Sequence, residues 1–221
     1  GEHKTPWHIE NKLSMDRIFE EMDTEKKKAV DLFPYNIAII EDGIPTLSYS
    51  QMWEDATCIA NRLKEQCDSS EYVTVELPKS SRYICAILGC WMAGKAFVPI
   101  GKDLPDSRKR YIEETVDTNL SITEYNYDDF FKSQPIDSVE TLTASTPAYV
   151  IFSSGTTGKP KGILVGHSGL VNLARCQRKA FRLTKHSRSL FFLSINFDAS
   201  ISDILVTLTS GGALVVETTD S

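Results

Sequence analysis

From Tyr72 onward the chain alternates strand-like and helix-like segments, and nothing else in it restricts the fold as strongly. Val73 to Leu77 is a β-branched run closed by Pro78. Ser80 or Ser81 can cap the following helix, predicted over Arg82 to Ala93. That helix is apolar almost all round (Tyr83, Ile84, Ala86, Ile87, Leu88, Trp91, Met92), which predicts burial. Gly94 stops it, and Ala96 to Ile100 is the next strand. A helix is predicted from about Pro105 to Val116, then a short strand over Leu120 to Thr123. Alternation of this kind builds βαβ units, so the expected fold class is α/β, with mostly parallel sheets flanked by helices.

Upstream, Ile37 to Ile40, the turn Glu41-Asp42-Gly43 and Leu47 to Tyr49 predict a β-hairpin. Met52, Ala56, Ile59 and Leu63 recur at helical spacing and predict a helix over about Ser50 to Gln66. Residues 1–36 are polar, and their Glu25 to Lys28 run reads as a solvated helix face. Residues 124–147 are polar, contain Pro135 and Pro147, and are expected to be a loop crossing between two halves, 1–147 and 148–221. The second half resumes with a strand at Ala148 to Phe152, a Gly/Ser/Thr loop and a strand at Ile163 to Val165. A helix over about 168–181, a strand at Leu190 to Leu193, a helix over about 200–209 and a strand at Ala213 to Val216 complete the pattern.

Composition narrows the partners. With 221 residues the chain is long enough for a sizeable core, and its 41% hydrophobic and 24% charged residues are ordinary for a globular protein. No apolar run is long enough to span a bilayer, and the first residues lack the order of a secretory signal. The net charge of −6 argues against nucleic acid or an anionic membrane as partner. Cys58, Cys67, Cys85, Cys90 and Cys176 show no C-x-x-C spacing, and buried reduced thiols in a cytoplasmic protein are expected.

The densest chemical signal is Ser153-Ser154-Gly155-Thr156-Thr157-Gly158-Lys159-Pro160-Lys161-Gly162. Glycines let backbone amides converge on an anion, hydroxyls add donors, and two lysines add positive charge. A flexible surface turn is the alternative for such a composition. The apolar strands on either side and the two lysines favour an ordered loop. It is not a Walker A loop, because Pro160 follows Lys159 and a strand rather than a helix comes next. It contains no G-x-G-x-x-G and so is not a dinucleotide fingerprint.

This run, after Tyr149 to Phe152 and before the strand leading to His167, resembles the phosphate loop of the AMP-forming adenylating enzymes. They include acyl-CoA synthetases, luciferases and the amino-acid adenylation domains of nonribosomal peptide synthetases. Seven fixed letters together arise by chance on the order of 10⁻⁸ per position. Leu47 to Tyr49, Trp91 to Ile100, His167 to Leu173 and Asn196 to Ser200 resemble further blocks of that family in the same order. Gly101-Lys102 depart from the Asp-Pro usual after the second block, Ser153 stands for the commoner Thr, and the stretch before the phosphate loop is short. The resemblance implies the large N-terminal subdomain of an adenylate-forming enzyme. It implies that Ser153, Ser154, Gly155, Thr156, Thr157, Gly158, Lys159, Lys161 and Gly162 hold ATP phosphates.

The block Phe197-Asp198-Ala199-Ser200 separates subfamilies. In amino-acid adenylation domains its Asp pairs with the substrate ammonium, so the resemblance implies substrate binding by Asp198, with Ala199 and Ser202 lining the side-chain pocket. Asp198 or Ser200 capping the following helix is the structural alternative, and Ser200 with Asp203 approximates a capping box. His167 is expected to be structural or to support the phosphate loop. The implied reaction forms aminoacyl-AMP from ATP and an amino acid, with Mg²⁺, then loads the phosphopantetheine thiol of a carrier-protein domain. The family's adenine-binding block, ribose-binding Asp and catalytic Lys are not found before Ser221, so no catalytic residue is assigned and the 221 residues are expected to be inactive alone. An aryl- or acyl-activating relative and a non-catalytic module on the same scaffold are the alternatives.

Overall fold

The computed structural model describes residues 33–66, 69–135, 145–153 and 159–218. The expected turn Glu41-Asp42-Gly43 forms, with Asp42 and Gly43 both in the left-handed region, and pairs β1 (Ile37–Glu41) with β2 (Ile44–Ser48) antiparallel. Ser48 and Gln51 make a reciprocal capping box that starts α1 (Tyr49–Glu65). Then follow β3 (Tyr72–Glu76), α2 (Ser81–Met92), β4 (Ala96–Pro99), α3 (Asp106–Val116) and β5 (Ser121–Thr123). Of the two expected caps, Ser80 serves α2: its hydroxyl accepts from the Tyr83 amide at 3.2 Å. The second stretch supplies β6 (Pro147–Ser153), β7 (Lys161–Gly166), α4 (His167–Phe181), β8 (Arg188–Leu190), α5 (Ala199–Leu208) and β9 (Ala213–Val216).

The strands form two sheets, ordered β2-β1-β9-β8 and β5-β3-β4-β6-β7. Pairing is parallel except at two edges, where β2 and β7 run antiparallel to β1 and β6. Each sheet takes strands from both sides of residue 147, since β1 pairs with β9 and β4 with β6. Helices α1 and α5 pack on the four-stranded sheet, α2 and α4 on the five-stranded one, and the helices pack on each other between them. One continuous core results. Tyr49 ties it across the chain, its hydroxyl donating to the Gly212 carbonyl at 2.7 Å. A smaller cluster of Val98, Ile100, Ile112 and Val150 lies under α3 on the other face of the five-stranded sheet.

Two expectations change. Residues 124–147 are not all loop: Tyr127–Lys132 forms a 3₁₀ helix with Tyr127 and Phe130 buried, because aromatic side chains three apart fall on one face of that turn. The strand expected at Leu190 to Leu193 is instead Arg188–Leu190. The Phe191 amide still donates to the Val215 carbonyl of β9 at 2.8 Å, but the carbonyls of Phe191 (3.1 Å) and Phe192 (3.0 Å) are taken by Lys79 Nζ, and the ladder goes no further. Cys58, Cys85 and Cys90 are buried free thiols as expected, whereas Cys176 is exposed; Cys67 lies outside the described residues, as does the Glu25 to Lys28 run. Among the described residues no helix is long and apolar enough to cross a membrane.

Candidate functional site

In open parallel sheets, ligands bind beyond the carboxyl ends of the strands. Here β3, β4, β5 and β6 run parallel, so their carboxyl ends share one edge of the five-stranded sheet. Three loops bearing the sequence signals converge on that edge.

The first leaves β6 at Ser153, which pairs with Lys161 across the loop; Phe152 pairs with Gly162. Ser153, Lys159 and Lys161 are exposed, and neither lysine is paired with a carboxylate among the described residues. Ser154, Gly155, Thr156, Thr157 and Gly158 lie outside the described residues. Gly162 sits in β7 in tight quarters: a Cβ there would stand 3.1 Å from Val150 and 3.2 Å from the Phe152 ring, so those side chains would have to give way slightly. Tyr111 of α3 steadies the loop's return, donating to the Pro160 carbonyl at 3.2 Å while packing edge-on against Phe152.

The second loop follows β4, and the third joins β8 to α5 and carries Asp198. They touch at Gly101, where a Cβ would fall 2.5 Å from the Asn196 amide. The glycine that departs from the family pattern thus admits the Asn196 side chain. Lys79, just past β3, grips the same third loop through Phe191 and Phe192 and lies 5.2 Å over the Phe191 ring.

Asp198 is exposed at the head of α5. The capping alternative fails: Asp198 has helical backbone angles and its side chain accepts no capping hydrogen bond. The Ser200 hydroxyl donates back to the Phe197 carbonyl, so the Ser200–Asp203 capping box does not form either. The Asp198 carboxylate therefore faces solvent without a structural task in the helix, and its negative charge reaches Tyr149 of β6. Burial first, and that charge second, push the Tyr149 phenol up to about 12. Ala199 is exposed beside Asp198. Ser202 is buried one turn further on, its hydroxyl donated to the Gln177 side chain of α4.

His167 is in the core rather than at the loop. It is 1% exposed and packs edge-on against Trp91, whose indole N–H donates to the Ala148 carbonyl at 2.8 Å. Burial lowers its imidazole to about 4, so the ring is neutral at physiological pH. Among the described residues no group of His, Cys, Asp and Glu side chains could hold a metal ion. Sequence reasoning missed Lys79, Tyr111 and Gln177, and the contact of Asn196 with Gly101. Lys79 alone carried a local signal, a cation directly after a strand-ending proline.

Comparison with known proteins agrees with this fold. The family model described as AMP-binding enzyme matches residues 26–144 and 126–221. Tyrocidine synthase 1 of Brevibacillus parabrevis is 31% identical over 222 residues, covering 92% of this chain and 20% of that protein. Among solved structures, the nonribosomal peptide synthetase FmoA3 bound to α-methyl-L-serine-AMP superposes with a TM-score of 0.80 at 26% identity, over 93% of this chain and 24% of that one. The N-terminal subdomain of Klebsiella oxytoca NpsA matches in fold, with a TM-score of 0.80 at 21% identity, over 93% of this chain and 56% of that one. The chain thus spans a fifth or less of the curated relatives' length. With the family match running through the strands of both sheets and the loops between them, the chain belongs to the AMP-binding enzyme family.

Proposed function

We propose that this chain supplies the ATP phosphate-binding loop and the substrate-amine anchor of an amino-acid-activating enzyme. The observation that carries this reading is the exposed Asp198 carboxylate, which caps no helix and stands on a loop whose Asn196 packs on Gly101 and whose Phe191 and Phe192 carbonyls are held by Lys79, at the edge from which the phosphate loop also departs. The FmoA3 complex with an amino-acid adenylate supports it.

In this reading the carboxylate of the amino acid attacks the α-phosphate of ATP and pyrophosphate leaves; the phosphopantetheine thiol of a carrier-protein domain then attacks the aminoacyl carbonyl of the adenylate, forming an aminoacyl thioester and releasing AMP. Catalysis of such a step rests on positioning and on neutralising phosphate charge. Lys159 and Lys161 lend positive potential, and the hydroxyls and amides from Ser153 to Gly162 donate to the β- and γ-phosphates. Asp198 forms an ion pair with the substrate ammonium, while Ala199 and Ser202 border the side-chain pocket. An ammonium unpaired in a water-excluded site is costly, so Asp198 selects amino acids over plain carboxylic acids. Mg²⁺ accompanies ATP as part of the substrate, and the described residues offer it no ligand set.

The test is amino-acid-dependent ATP–pyrophosphate exchange, run over the twenty standard amino acids and a set of aryl and fatty acids, in a protein that joins this unit to the rest of an adenylation domain. Asp198→Ala is expected to abolish exchange with the preferred amino acid. Retained exchange in that variant, or a preference for an aryl or fatty acid, overturns the amine-anchor role. The 221 residues alone are expected to show no exchange.

A further inference from the structure

Charge is distributed unevenly along this acidic chain. Residues 141–197 hold eight of its 24 Lys and Arg and none of its 30 Asp and Glu. Two of the eight, Lys159 and Lys161, belong to the phosphate loop. The other six crowd into residues 175–188, together with His186.

The fold gathers these residues around a concavity. A groove of about 800 Å³ past the carboxyl end of α5 is lined by Arg175, Arg178, Lys179, Arg182, Lys185 and His186. Phe33 and Leu183 give it apolar walls, and among the described residues no acidic one lines it. A second hollow of about 400 Å³, bordered by Arg188, continues it and shares Phe33, Lys185 and His186. Asp198 is at the opposite end of the ten-residue α5, roughly 15 Å away at 1.5 Å per residue, so the groove is separate from the amine anchor.

Ordinary helix chemistry explains only part of the cluster. Arg178 and Lys179 lie in the last turn of α4, where cations offset the helix dipole, and Arg178 also donates to the Thr209 carbonyl at the end of α5. Arg175 precedes that turn, and Arg182, Lys185 and Arg188 follow the helix. Arg175, Lys179, Arg182 and Lys185 have no carboxylate partner among the described residues. The wall is built rather than incidental. Lys185 Nζ stands 5.2 Å over the Phe33 ring, and Gly211, at φ +77°, lets that ring approach to 3.0 Å of where a Cβ would be.

We propose that this groove binds a small ligand bearing several phosphates, at a site distinct from the phosphate loop. Its volume lies within the range typical of small-molecule sites, its concavity suits a compact ligand, and arginine forks with lysines match phosphate oxygens. Arg175, Lys179, Arg182 and Lys185, held around one hollow with no carboxylate partner among the described residues, repel one another and gain most from a ligand of high charge density.

The probe is sodium tripolyphosphate, titrated calorimetrically at fixed ionic strength and followed by amide NMR. Amides of residues 175–188 are expected to shift. Arg175→Gln/Lys179→Gln/Lys185→Gln is expected to weaken binding at least tenfold, and the charge-retaining Arg175→Lys/Lys179→Arg/Lys185→Arg to stay within threefold of wild type. Lys159→Gln/Lys161→Gln is expected to leave this binding within threefold. In that last variant ATP serves as a second probe: tighter binding than tripolyphosphate identifies a nucleotide as the occupant, and equal or weaker binding a free oligophosphate. The proposal is overturned if the neutral triple variant binds like wild type, if sulfate at equal ionic strength gives the same amide shifts, or if a poly-glutamate peptide binds more tightly than tripolyphosphate. The last outcome marks the groove as a docking face for an acidic protein.

Discussion

Helices α2 and α4 pack on the same sheet but stand in opposite surroundings. Ten of the twelve residues of α2 are buried, whereas α4 buries only His167, Leu170 and Ala174. The strands differ likewise: β4 is buried throughout, while β7 exposes Ile163 and Leu164 by about half. A helix enclosed by α1, β3 and β4 cannot reach a ligand but holds those strands rigid, so that their carboxyl ends offer a fixed edge. The residues around β7, α4 and the head of α5 carry the exposed charges that the proposed function assigns to ligands, and such charges must stay hydrated until a ligand replaces the water. Division of labour between an enclosed frame and an open face is what the contrast teaches.

The largest test of that contrast is truncation. Trp91→Ala removes the most voluminous fully buried side chain among the described residues and leaves the Ala148 carbonyl without its indole donor. It is expected to cost about 3–5 kcal/mol in urea unfolding. Leu164→Ala, on the open face, is expected to change stability by less than about 0.5 kcal/mol. Comparable losses from both substitutions would show the β7 face to be covered in solution and break the comparison.

His167 joins the two regions, since it begins α4 yet packs on Trp91 of α2. Its pKa is near 6.5 when unfolded and about 4 when folded. Below pH 6.5 the unfolded chain therefore takes up a proton that the folded chain refuses. Stability falls as pH drops from 6.5 towards 4, by roughly 3 kcal/mol at most, and the loss saturates below 4. His167→Leu is expected to remove this component from stability measured against pH. An unchanged profile would place the neutral, buried imidazole in doubt.

Lys79 is the second joint and a smaller one. Its ammonium, half-buried after β3, holds the Phe191 and Phe192 carbonyls of the open region. Lys79→Met keeps most of the apolar stem and deletes both donors, at an expected cost of about 1–2 kcal/mol. Hydrogen exchange sharpens the reading: amides of residues 192–198 should exchange faster while those of α2 do not change. Uniform acceleration would mean that the lysine supports the whole core rather than the loop bearing Asp198.

The same contrast governs what the sequence makes legible. Helix α2 is readable because apolar residues surround it and Ser80 precedes it, all local signals. Residues Ser153, Lys159, Lys161 and Asp198 stand out by motif, because phosphate and ammonium each demand particular residue types. The contact of Gly101 with Asn196 joins positions 95 apart, and no local pattern encodes it. The 3₁₀ helix at Tyr127–Lys132 escapes notice because two buried aromatics sit among Asp128, Asp129 and Lys132, and composition averages over them. The displaced strand β8 has the same origin, since its end is set by Lys79 more than a hundred residues earlier.

The smallest expected effect probes the enclosed frame itself. Tyr83 of α2 is fully buried, its ring stacks 6.5 Å from that of Phe191, and its hydroxyl has no hydrogen-bond partner among the described residues. An enclosed core that specifies every polar atom would not leave this one unmatched, because a buried hydroxyl without a partner forfeits its hydration. Tyr83→Phe keeps the stacking and removes only that oxygen. It is expected to leave stability unchanged or raise it by up to about 1 kcal/mol, as deletion of an unsatisfied buried group predicts. A loss of about 1 kcal/mol or more in urea unfolding would mean that the hydroxyl is bonded in solution. The frame would then be less dry than the packing of α2 implies, and the difference between the two regions one of degree.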